Sequence, residues 1–266
     1  MSLFENLKSA RPFFVIAGPC VVESEAVMHQ CAERLSQVCR RLELPLIFKS
    51  SYKKANRSSG DSYTGPGILE GLKLLHNIGR DYNLPILSDV HEVCEVASAA
   101  EVCDILQIPA FLSRQTDLIR AAALSGRIVN IKKGQFMAPE DMQSAAQKAS
   151  ETGNEKILLT ERGSSFGYHN LVVDFRGFAI MKEFGYPIIY DLTHSLQLPS
   201  IGKRSGGNPE FAPMMAKAAL ATGKVDGLFI ECHPDPAKGL SDASTMLALD
   251  SMENLLRDCV RICEKL

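Results

Sequence analysis

An α/β fold closed as a (β/α)8 TIM barrel, in one domain spanning residues 1–266, is what the chain predicts, on three observations. Its 266 residues suit a barrel of this kind, which takes about 250. Eight strand-length runs of apolar and β-branched residues recur about every thirty residues, as repeated βα units on a parallel sheet require. The stretches between them place apolar residues at helical spacing.

In chain order the runs are FFVIA (13–17), PLIFKS (45–50), PILSDV (85–90), DILQIP (104–109), IVNIKK (128–133), KILLTE (156–161), PIIYDL (187–192) and GLFIEC (227–232). Segments such as EAVMHQCAERLSQVCRRL and SMENLLRDCVRICEKL read as outer helices. No Ser/Gly-rich linker, low-complexity tract or shift in composition divides the chain, so no domain boundary is expected.

A formal net charge of −2 and the lack of a long basic run argue against nucleic acid or an anionic membrane as partner and favour small molecules. No run of 18 apolar residues occurs, and the charged start MSLFENLKSAR lacks a signal-peptide pattern, so a cytoplasmic address is expected. Of the eight cysteines, Cys31, Cys39, Cys259 and Cys263 sit in helical patterns and none repeats with zinc-ribbon spacing. They are expected to be reduced core thiols, with Cys20 the exception.

Reading each run to its C-terminal end finds a chemically capable residue almost every time: Cys20, Lys49, Asp89, Gln107, Lys132 with Lys133, Arg162, His194 and Glu231. The βα loops of such barrels converge there and build the active site. Four cations aimed into one mouth, Lys49, Lys54, Lys132 and Arg162, would repel each other unless polyanions filled the space, which points to phosphorylated substrates. The loop KKANRSSGDSYTGPG (53–67) offers amides, hydroxyls and an Arg for a phosphate. No Walker or dinucleotide fingerprint is present.

A second constellation mixes ligand types. Cys20, His194, Glu231 and Asp242 follow strands one, seven and eight, which are neighbours once the barrel closes. Thiolate, imidazole and two carboxylates suit Zn, Fe(II), Mn or Co. His233, two residues beyond Glu231, is a rival ligand.

The segments AGPC, FKSSYKKANRSS, LQIPAFLSRQTDL, NIKKGQF, LTERGSSFGYHNLVVDF, DLTHSLQLP and FIECHPDPAKGLSDAS together resemble the 3-deoxy-D-manno-octulosonate 8-phosphate synthases along essentially the whole chain. The related 3-deoxy-D-arabino-heptulosonate 7-phosphate synthases carry a KPRT-like motif where this chain has KANRSS. The resemblance implies condensation of phosphoenolpyruvate with arabinose 5-phosphate for lipopolysaccharide (Kdo) biosynthesis. It implies that Lys54, Lys132, Arg162 and Gln107 hold phosphoenolpyruvate, and that Asn56, Arg57 and Ser58 hold the sugar phosphate. Lys49 and Asp89 would meet the sugar's carbonyl end, with Lys54, Lys132, His194 and Asp89 as the catalytic set.

The resemblance also implies a homotetramer in which Arg57 or Arg114 reaches a neighbouring subunit's site. Cys after AGP is similar to the metal-dependent class, with Cys20, His194, Glu231 and Asp242 as ligands of a divalent ion. Carbon 3 of phosphoenolpyruvate would attack the aldehyde, water would add at carbon 2, and the hemiketal phosphate would lose phosphate by C–O cleavage.

Overall fold

A computed structural model describes residues 1–55, 63–199 and 206–266. Eight parallel strands form the barrel: β1 (Phe14–Gly18), β2 (Leu46–Lys49), β3 (Ile86–Asp89), β4 (Ile105–Ile108), β5 (Ile128–Lys132), β6 (Ile157–Glu161), β7 (Ile188–Asp191) and β8 (Gly227–His233). They pair in chain order, and β8 pairs with β1 to close the ring, Gly18 lying opposite Glu231. All eight predicted runs are strands, and a helix lies between every successive pair.

Period-two alternation explains the interior. Inward positions at the N-terminal end are apolar: Phe14, Ile16, Ile47, Leu87, Ile105, Ile128, Leu158, Ile189 and Phe229 form one cluster. Two or four residues further along each strand the next inward positions are Lys49, Asp89, Gln107, Asn130, Lys132, Thr160, Asp191 and Glu231. The barrel is therefore filled with hydrocarbon below and with buried polar groups above. Outward residues such as Val15, Phe48, Leu106, Val129, Leu159 and Tyr190 join the helices in a second, larger core.

The sequence reading placed no element before β1, yet helix α1 (Leu3–Lys8) sets Phe4 and Leu7 against the inner cluster. Two short antiparallel pairs were also not anticipated: Ser164–Ser165 with Leu171–Val172, and Gln197–Leu198 with Gly206–Gly207. Both lie in loops that follow barrel strands, after β6 and β7. All eight cysteines are free. No helix among the described residues is long and apolar enough to cross a membrane.

Gly18 shows how tightly the strand ends meet. A Cβ built there would lie 2.1 Å from the carbonyl oxygen of Lys49 on β2, so any side chain forces β1 from β2 just where Lys49 enters the mouth. Gly18→Ala is expected to cost about 2–3 kcal/mol, a fall in Tm of roughly 4–12 °C. Thermal unfolding followed by circular dichroism reads this, and an unchanged Tm would show that the two strand ends part freely.

Candidate active site

Glu231, the fifth residue of β8, is fully buried and lies at the meeting point of the two predicted constellations. Its Oε1 accepts from Lys49 Nζ at 2.6 Å and lies 3.9 Å from Lys54 Nζ. Its Oε2 has no hydrogen-bond partner among the described residues and lies 3.8 Å from His194 Nε2. Burial pushes the carboxyl's pKa up, but Lys49, His194 and Lys54 outweigh it and hold the pKa below the usual range.

Three of the four predicted ligand residues cluster, and the fourth, His194, lies beside them. Donor atoms of Cys20, Glu231 and Asp242 all lie within 4.8 Å of one another. Cys20 Sγ is 2.9 Å from Ser241 Oγ and 3.3 Å from Asp242 Oδ2, and Asp242 Oδ2 is 3.5 Å from His194 Nε2. Burial, reinforced by Asp242 and Glu231, pushes the Cys20 thiol well up, so it stays protonated unless a cation displaces the proton. A soft sulfur, an imidazole nitrogen and two carboxylates, one with an unused buried oxygen, fit a divalent transition metal.

Asp191, the last residue of β7, was not singled out from sequence, and it orients this cluster. Its Oδ2 accepts from His194 Nδ1 at 2.8 Å and from Lys132 Nζ at 2.6 Å, while Oδ1 takes the backbone N–H of His194 at 2.9 Å. Asp191 therefore fixes the ring's orientation, with Nδ1 toward Asp191 and Nε2 toward Glu231 and Asp242. The only sequence signal was a charged residue at an inward position of an apolar run. His233 takes no part: its Nδ1 accepts from the Asp235 N–H and its Nε2 meets Glu23 at 3.3 Å, which removes it as a rival ligand.

Three of the four predicted cations also have carboxylate partners in the mouth. Lys49 and Lys54 face Glu231, and Lys132 pairs with Asp191 while its Nζ also lies 3.9 Å from the Phe229 ring centroid. Burial pulls Lys54 down, but the Glu231, Asp89 and Asp242 carboxylates raise it overall; burial dominates at Lys132 and lowers it. Arg162 differs: Nη2 donates to Gln197 Oε1 at 3.2 Å, but Nη1 is buried with no hydrogen-bond partner among the described residues. Lys133 faces outward to Glu161 at 3.4 Å and to Ser164, away from the mouth.

Asp89 accepts from Ser51 and from Gln107, whose carbonyl accepts from Asn130. Arg114 is exposed, with its carbonyl taken by Lys148. Asn56, Arg57 and Ser58 lie outside the described residues.

Fold and site together define a (β/α)8-barrel enzyme with a charged, buried strand-end mouth. The chain belongs to the DAHP synthetase I family, which it matches over residues 9–263. It is 53% identical over 248 residues to a protein of Geotalea daltonii named 2-dehydro-3-deoxyphosphooctonate aldolase, covering 93% of this chain and 91% of that one. Proteins of the same name from Acidithiobacillus ferrooxidans (55% over 247 residues, 92% and 88% covered) and Pelobacter propionicus (55% over 252, 94% and 92%) are similarly related.

Four carboxylates of the mouth, Asp89, Asp191, Asp242 and Glu231, have folded pKa values below their unfolded ones, because nearby cations and hydrogen bonds outweigh burial. A depressed carboxylate contributes stability above the unfolded pKa, about 4, and loses it as pH falls. Urea midpoints are therefore expected to drop steeply from pH 5 to pH 3, and Asp191→Asn should flatten that slope; an equal slope in the variant would show that Asp191 is not among the groups responsible.

Proposed function

We propose that this chain condenses phosphoenolpyruvate with D-arabinose 5-phosphate and water to give 3-deoxy-D-manno-octulosonate 8-phosphate and inorganic phosphate. It thus acts as a 2-dehydro-3-deoxyphosphooctonate aldolase in Kdo biosynthesis. The observation that carries the reading is Arg162, a buried guanidinium whose Nη1 has no hydrogen-bond partner among the described residues, in a mouth that also holds Lys49, Lys54 and Lys132. A planar fork with an unused donor seats a carboxylate or phosphate.

In this reading Arg162, Lys132, Lys54 and Gln107 bind phosphoenolpyruvate and absorb the charge that gathers on phosphate as the C–O bond breaks. Lys49 and Asp89 orient the aldehyde end of the sugar, and Asn56, Arg57 and Ser58 take its phosphate. As carbon 3 attacks, the aldehyde oxygen gains a proton from the mouth. Lys132 suits that duty, since burial lowers its pKa toward a more acidic ammonium.

Cys20, His194, Glu231 and Asp242 would hold a divalent metal of the Zn, Fe, Mn or Co class, which supplies Lewis-acid polarisation of an oxygen. Asp191 keeps His194 in the orientation such a ligand needs. A single barrel domain over residues 1–266, a homotetramer with Arg57 or Arg114 reaching across, and a cytoplasmic location belong to the same reading. Exposed Phe111, Phe136, Phe166 and Tyr168, all on loops after strands, support a covered mouth-side surface.

The heptulosonate reaction with erythrose 4-phosphate is the rival, since the family takes its name from it. Phosphate release from phosphoenolpyruvate, measured with each aldose after chelation and after adding back Zn, Mn or Fe(II), separates the two. Release with arabinose 5-phosphate that needs metal is expected, with Cys20→Ala inactive; full activity of Cys20→Ala in chelator would end the metal assignment. Arg162→Ala should lower kcat/KM for phosphoenolpyruvate roughly 10- to 150-fold, the worth of one charged hydrogen bond.

A further inference from the structure

Asp89 on β3, Gln107 on β4 and Asn130 on β5 are successive Cα partners in the parallel ladders, so their side chains stand abreast inside the barrel. A buried hydrogen-bond chain links them. Asp89 accepts from Ser51 Oγ and from Gln107 Nε2. Gln107 Oε1 accepts from Asn130 Nδ2 at 2.9 Å, and Asn130 Oδ1 accepts from Thr160 Oγ1 on β6 at 2.7 Å. All five side chains are at least nine-tenths buried.

Charge at one end sets the direction of the whole chain. An ionised carboxylate offers only acceptors, so Gln107 must turn its NH2 to Asp89 and its oxygen to β5. Asn130 must then answer with its NH2, which leaves its oxygen for a donor, and the Thr160 hydroxyl rotates to supply one. Reversing either amide would set oxygen against oxygen, or NH2 against NH2, where water does not reach to relieve it.

Asn130 and Thr160 stand one inward position below Lys132 and Arg162 on the same strands, too deep to be needed for the proposed chemistry. We propose that Asn130 and Thr160 are positioning residues for substrate: they lock the Gln107 amide with one Nε2 hydrogen on Asp89 and the other available to the anion that Lys132 and Arg162 bind. The inference rests on phosphoenolpyruvate being that anion. It explains why neutral polar groups occupy interior positions of β5 and β6 that Val, Ile or Leu would otherwise fill.

Thr160→Val keeps the shape and removes the donor, while Thr160→Ser keeps the donor. Phosphoenolpyruvate binding to the full chain by titration calorimetry, beside steady-state phosphate release, reads the difference. The expected result is a Kd, and a KM for phosphoenolpyruvate, raised about 3- to 10-fold in Thr160→Val with kcat within about 2-fold, as loss of one neutral hydrogen bond predicts, and wild-type values in Thr160→Ser. Wild-type binding by Thr160→Val overturns the inference, and so does an equal loss in both variants, because hydroxyl donation would then not be the cause. If the wild type binds phosphoenolpyruvate but turns over neither aldose, the activity reading fails while the Kd comparison still judges the chain; no binding by the wild type overturns both.

Discussion

A carboxylate with no exposure to water must be compensated by its neighbours or give up its charge, and Glu231 imposes that condition on everything around it. Lys49 is drawn to 2.6 Å, Lys54 and His194 stand behind it, and the Glu231 N–H is tied to Thr193 Oγ1 at 2.7 Å. Lys49 can reach Glu231 only because β1 and β2 close tightly at Gly18, where its own carbonyl occupies the space of a missing Cβ. Backbone closure and charge compensation are thus one problem, solved on three adjoining strands.

The same logic repeats on the other side of the mouth. Asp191 answers Lys132 and His194 together, and Asp89 lies among Lys49, Lys54, His91 and Lys132. Each cation compensates an acid, so removing one partner leaves a buried charge and costs more than the pair itself contributes. Arg162 is the exception, since its Nη1 has no hydrogen-bond partner among the described residues. A preorganised mouth of this kind spends folding energy before substrate arrives and needs little rearrangement when charge develops.

Much of this was legible along the chain. Strand ends could be read because a parallel barrel puts every strand's chemistry at one face, so Cys20, Lys49, Asp89, Gln107, Lys132, Arg162, His194 and Glu231 fell out in order. Lys133 shares the strand end with Lys132, but adjacent residues of a strand face opposite ways, and its partner is Glu161 outside the barrel. Asp191, Asn130 and Thr160 sit inside runs that read as apolar, Asn130 and Thr160 one inward step below Lys132 and Arg162. The pairing of Lys49, Lys54 and Lys132 with acids was hidden because their partners lie on other strands.

By itself the sequence determined the class of fold, the face that carries chemistry and the residue types that meet there, since period and strand order are local properties that every βα unit repeats. Only the tertiary structure decided which atom faces which. That His194 turns Nε2 to Glu231 and Asp242, that His233 turns instead to Glu23, and that the amides of Gln107 and Asn130 point one way round the barrel follow from contacts between strands. In a closed ring a side chain's partner is set by register and by the charge across the gap, and neither is written in the spacing of residues along one strand.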